Sequence, residues 1–240
     1  MITAAAFVPS TPLLVPEAAS GAAGELGLVR DAALAAVREV LATGPQRVVV
    51  IGATSRTIGT PEPHGIATYA AGTGSLRGFG VALDVPLDPT TPGAQPLSLA
   101  STVGAWLLAQ TDWSGERVAV ELDPASDDAA LDACGASLAT GGATALLVVA
   151  DGSASRTEKA PASLHPDAAA FDESVAKALA SGDPAQLAAL DPATAVAVTS
   201  SGRPAWRAAA AALQGTAYDA ELLADEAPYG VGYLVARWTR

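Results

Sequence analysis

Short apolar runs alternate along the chain with longer segments in which apolar residues recur every three to four positions. This is the pattern of an α/β domain whose sheet is covered by helices. The strand candidates are Ile2 to Val8, Arg47 to Gly52, Gly78 to Val85, Arg117 to Leu122, Ala143 to Ala150, and a C-terminal pair near Tyr218 to Leu223 and Val231 to Arg237. Arg47-Val48-Val49-Val50-Ile51-Gly52 and Ala145-Leu146-Leu147-Val148-Val149-Ala150 run apolar without alternation, so both are expected to be central strands covered on both faces.

Helical spacing falls between these runs, at Gly24 to Leu41, Pro96 to Gln110, Asp127 to Leu138, Pro166 to Ala180 and Pro184 to Leu190. Phe171, Val175 and Leu179 form one apolar stripe, and Gly182 stands where a C-terminal cap belongs. Asp183-Pro184 and Asp191-Pro192 each set a capping carboxylate before a proline suited to a first helical turn. Two stretches lack any period, Ala53 to Arg77 and Asp151 to Leu164. Both follow the ends of buried strands, where open α/β sheets bind ligands. The expected fold is one domain over residues 1–240, a mostly buried mixed sheet flanked by helices.

Composition narrows the function classes. The chain has 240 residues, 50% hydrophobic and 16% charged, with a net charge of −12. Such a surface repels a phosphate backbone or an anionic membrane, so neither nucleic acid nor membrane is an expected partner. No apolar run approaches the roughly 20 residues of a bilayer-crossing helix. The opening Met1-Ile2-Thr3-Ala4-Ala5-Ala6-Phe7-Val8 has no basic residues ahead of it and reads as a strand, not a signal peptide. The single cysteine, Cys134, cannot form an internal disulfide, and the expected location is the cytoplasm.

Several stretches carry candidate chemistry. The chain's two histidines, His64 and His165, lie in or beside the aperiodic loops. Together with Glu226 or Asp151 they supply the donors of a two-histidine-one-carboxylate Fe(II) site, one alternative reading. Asp151-Gly152-Ser153-Ala154-Ser155 places a serine after a buried strand with an aspartate and His165 nearby, which a metal-free hydrolase would need, but the stretch is not G-x-S-x-G. Asp151 also reads as a turn residue bonding its own backbone. Gly72-Thr73-Gly74-Ser75-Leu76-Arg77-Gly78 precedes a strand instead of opening a helix, so no dinucleotide is expected. Gly52-Ala53-Thr54-Ser55 lacks the lysine of a phosphate loop.

The order of these pieces resembles the class III extradiol ring-cleavage dioxygenases, the fold of the catalytic B subunit of protocatechuate 4,5-dioxygenase (LigB). Ala6-Phe7-Val8-Pro9-Ser10-Thr11-Pro12-Leu13-Leu14 resembles that family's N-terminal strand and loop, Val49-Val50-Ile51-Gly52-Ala53-Thr54 its second strand, and Ala150-Asp151-Gly152-Ser153-Ala154 its third loop. His165-Pro166-Asp167-Ala168-Ala169-Ala170-Phe171-Asp172, Ala180-Ser181-Gly182-Asp183 and Glu226-Ala227-Pro228-Tyr229-Gly230-Val231-Gly232-Tyr233 are similar to later family segments. The resemblance implies that two histidines and a glutamate would hold Fe(II) and a third histidine would act as acid or base. Those positions are here Ser10, Thr54, Glu226 and Ala154. Three imidazoles are gone, and serine and threonine hydroxyls are poor Fe(II) ligands at neutral pH. The expectation is therefore a relative without metal or cofactor that does not cleave aromatic rings. Its cleft, drawn from Ser10, Thr54, Asp151, Ser153, His165 and Glu226, would take a small polar or aromatic ligand, and a homodimer is the expected assembly.

Overall fold

The computed structural model describes residues 1–19, 21, 24–54 and 65–240; His64 lies outside these residues. Seven strands form one sheet in the order β3-β6-β2-β7-β1-β9-β8. They are β1 (Ile2–Val8), β2 (Arg47–Ala53), β3 (Ile66–Tyr69), β6 (Glu116–Leu122), β7 (Thr144–Val149), β8 (Asp219–Glu226) and β9 (Tyr233–Thr239). The central four, β6, β2, β7 and β1, are parallel, whereas β3, β9 and β8 extend the sheet by antiparallel pairing. A separate ribbon pairs β4 (Thr73–Ser75) with β5 (Asp84–Pro86). The architecture is mixed α/β with helices on both faces.

As the unbroken apolar runs require, every residue of β7 is buried and β2 is exposed only in part at its two end residues. Helices α2 (Gly27–Ala42) and α3 (Leu99–Ala109) pack on one face with Val48, Val50, Leu147 and Val149. On the opposite face α4 (Asp128–Leu138), α5 (Ala168–Ser181) and α8 (Arg203–Leu213) pack with Val49, Ile51, Leu146 and Val148. Alternate residues of each strand thus serve opposite layers, which is the two-residue period of the pleat. The short helices α1 (Pro16–Ala19), α6 (Pro184–Ala188) and α7 (Pro192–Ala197) complete the chain.

The local signals act as expected where they are strong. Phe171, Val175 and Leu179 are buried together, and Gly182 ends α5 in the left-handed region at φ 67°. Asp183 and Asp191 accept hydrogen bonds from Ala185 N and Thr194 N and open α6 and α7. Two expectations are corrected, and one helix lies where none was expected. Gly78 to Val85 is not a strand: Arg77–Phe79 is a 3-10 turn closed by Gly80 at φ 81°, and only the three-residue β5 follows. Glycine on either side of Phe79 favours the turn over extension. The stretch expected as loop from Ala53 to Arg77 contains β3 and β4. Helix α8 carries no stripe of large residues, yet Ala205, Ala208, Ala209 and Ala212 are buried beside Trp206 and Leu213. The period there is carried by Arg203 and Arg207 set against small buried alanines, not by the large apolar residues that mark the other helices.

The chain leaves β1 toward α2 on one face and leaves β7 toward α5 on the other. Neighbouring parallel strands whose connections part in this way leave a crevice outside their carboxyl ends. Because β9 runs antiparallel to β1, its first residue, Tyr233, arrives at that same end. Among the described residues no helix is long and apolar enough to cross a membrane.

Candidate functional site

Ser10 follows β1, Asp151 follows β7 and Thr54 follows β2, so three of the expected cleft residues stand at the carboxyl ends of three adjacent strands. Ser10 and Asp151 are in direct contact: Ser10 N donates to Asp151 Oδ1 at 2.8 Å and Ser10 Oγ to Oδ2 at 2.7 Å. Asp151 is therefore not a turn residue serving its own backbone. It ties the loop after β1 to the end of β7. Burial pushes its carboxyl up to about 6, against the pull of the two Ser10 hydrogen bonds. Thr54 is buried, and its N–H donates to Leu122 O at 2.8 Å, which closes the end of β2 onto β6.

Two further residues complete this wall. Tyr233 Oη lies 3.4 Å from Thr11 Oγ1, and its phenol is pushed up to about 12, first by burial and then by the nearby Asp151 and Tyr229. It remains a protonated donor throughout the neutral range. Tyr229 donates its hydroxyl to Glu25 Oε2 at 3.0 Å. This end of the sheet thus brings a carboxyl raised by burial close to a protonated phenol and a second hydroxyl. Such a set can hold a small hydroxylated molecule by accepting from it.

The other expected cleft residues are placed differently. Ser153 is fully buried beneath the crevice, and both of its donors go to Asp172: N to Oδ1 at 2.7 Å and Oγ to Oδ2 at 2.8 Å. That hydroxyl is not presented as a nucleophile. Ala154 lies in a backbone mesh, its N–H donating to Val198 O and its carbonyl accepting from Ala162 N, both at 3.0 Å. His165 Nδ1 accepts from Asp167 N at 3.2 Å, and its backbone N–H donates to Ser155 O at 3.0 Å. Glu226 is exposed at the end of β8, paired with Tyr233, and β9 stands between β8 and β1. Among the described residues no group of three His, Cys, Asp or Glu side chains could hold a metal ion.

Thr11, Asp172 and Tyr233 escaped the sequence reading as site residues. Asp172 directly follows Phe171 of the apolar stripe, and nothing in the spacing marks a buried carboxylate. For Tyr233 the segment Tyr229 to Tyr233 was the available signal, but its meeting with Thr11 depends on strand pairing across the sheet.

The fold and the crevice together define a doubly wound α/β protein with a polar site at a topological switch point. No family model matches the chain, and no curated protein matches it. Among solved structures, the crystal structure of an uncharacterized protein from Escherichia coli K12 aligns over 98% of this chain and 99% of its own, with 14% identity and a TM-score of 0.45.

Proposed function

We propose that this protein binds a small polar or aromatic ligand, with a catechol as the representative chemistry, in a class III extradiol dioxygenase-like crevice that works without iron. The observation that carries the reading is the Ser10–Asp151 pair. Ser10 stands where the resemblance implies the first metal-ligating imidazole, and its hydroxyl and amide are both given to a neighbouring carboxylate. The loops that the resemblance implies should meet follow β1, β2 and β7, which are adjacent.

The residues at the implied ligand positions do not fit Fe(II). Neutral hydroxyls of Ser10 and Thr54 are weak donors for that ion, and Ser10 already spends its proton on Asp151. Glu226 is exposed at the edge of the sheet. What this end of the sheet retains is recognition: Asp151 has acceptor capacity beyond its two bonds to Ser10, Tyr233 Oη, whose proton is given to Thr11 Oγ1, can still accept, and the two hydroxyls of a catechol can donate to both. The cytoplasm is the proposed location, on the strength of the single cysteine.

The test is anaerobic Fe(II) equilibrium dialysis of protein purified without a metal-binding tag, followed by oxygen uptake with catechol and protocatechuate. We expect no stoichiometric iron and no catechol-dependent uptake. One iron per chain with uptake abolished by His64→Ala or His165→Ala would overturn the reading in favour of a divergent iron site.

A further inference from the structure

Beneath the crevice lies a second carboxylate, Asp172 of α5, about 1% exposed, which the proposed function does not use. It accepts from Ser153 N and Ser153 Oγ, and Arg156 Nη1 approaches it at 3.5 Å. Its surroundings are unusually close. A Cβ added to Gly152 would stand 2.6 Å from Asp172 Oδ1, and one added to Gly232 would stand 2.5 Å from Oδ2. The two segments also pair directly, Gly152 N donating to Gly232 O and Gly232 N to Ser153 O, each at 2.8 Å. Gly152 directly follows Asp151, and Gly232 directly precedes Tyr233. One buried carboxylate therefore sits between the two backbone segments that carry Asp151 and Tyr233, hydrogen-bonded to the first through Ser153 and packed against the second at Gly232.

We infer that Asp172 is the positioning residue of this site, holding Asp151 and Tyr233 at their working separation by bonding Ser153 and packing against Gly152 and Gly232. The inference rests on the proposed function only in treating those two groups as the site. A carboxylate is suited to the task because it accepts two hydrogen bonds at once in a fixed plane, and the absence of Cβ atoms at 152 and 232 lets the backbone close on it.

The test needs no ligand, so its outcome stays readable whether or not catechol binds, and a failure of catechol binding leaves it untouched. Amide hydrogen exchange is followed by NMR on the full chain and on Asp172→Asn and Ser153→Ala. Asp172→Asn puts an amide where two donors converge. The Ser10 amide, which bonds to Asp151 and does not touch Asp172, is expected to exchange about tenfold faster or more, the scale of a weakened charge-assisted bond. The amides of Val50 and Ala119, in β2 and β6, should keep their wild-type rates. Ser153→Ala retains the backbone bond to Asp172 and should move Ser10 in the same direction by less, which keeps the test alive if Asp172→Asn does not fold. Faster exchange at Ser153 alone would overturn the inference, as would equal acceleration of every amide, which marks a merely structural role.

Discussion

At the level of single residues, Asp151 decides the pH behaviour. Its folded midpoint is raised to about 6 by burial, above the ordinary aspartate value of about 3.9 in the unfolded chain. Between those values the folded state holds a proton that the unfolded state has released, so the stability that proton confers is complete below about pH 4 and is lost as pH rises through about 6. Two pH units of difference correspond to about 3 kcal/mol at most. Asp151→Asn removes the titration, so urea unfolding at pH 4 and pH 7 should show wild type losing about 2–3 kcal/mol more than the variant between the two. Identical pH dependence in both proteins would refute this assignment. Asp172 is also raised, first by burial and further by Asp225, while Ser153 and Arg156 oppose the shift. Comparing Asp151→Asn with wild type cancels that shared contribution.

The elements are held by unlike devices. Helices α4 and α8 meet so closely that a Cβ on Gly135 would stand 2.1 Å from Ala208 O and 2.7 Å from Ala211 Cβ. Arg203 and Arg207, one turn apart on α8, reach Asp128 and Asp132, one turn apart on α4, with Arg203 Nη2 to Asp128 Oδ1 at 2.7 Å and Arg207 Nη2 to Asp132 Oδ2 at 2.5 Å. Gly135→Ala is expected to cost about 1–3 kcal/mol by forcing the helices apart. Gly27→Ala, where an added Cβ meets nothing within 4 Å, should cost nothing. Thermal unfolding of the two variants measures the difference, and equal midpoints would contradict the close approach. The matching four-residue spacings of arginine and aspartate are present in the sequence, but they acquire meaning only from the packing of α4 against α8. The strands were more legible, because β2 and β7 are covered on both faces and carry that fact as unbroken apolar runs. Gly78 to Val85 misled because its apolar content is real while its glycines turn the backbone.

In the whole molecule, the crevice follows from topology more than from any motif. Ser10, Thr54 and Asp151 are separated by tens of residues, and they converge because β1, β7 and β2 are adjacent and parallel. The sequence points to the loops that begin near Thr54 and at Asp151 through their position after buried strands, and to Ser10 only through the family resemblance. It could not reveal the contacts that define the site, since the Ser10–Asp151 and Thr11–Tyr233 pairs depend on strand order and on β9 returning antiparallel. Asp172 was illegible for a related reason. Two glycines on other segments approach it closely, and its own helix only shows a polar residue next to an apolar stripe.

The most direct test of the account is an amide NMR titration of the chelator-treated protein with catechol. We predict saturable shifts concentrated at residues 9–11, 53–54, 151–153 and 229–233, persisting in excess chelator and weakened about tenfold or more by Asp151→Ala, the scale expected when a charged hydrogen-bond partner is lost. Shifts centred instead on the separate groove that Phe171, Ser174, Gln186 and Leu190 line between α5 and α6, or shifts that vanish with chelator, would contradict a metal-free ligand site at the carboxyl edge of the sheet.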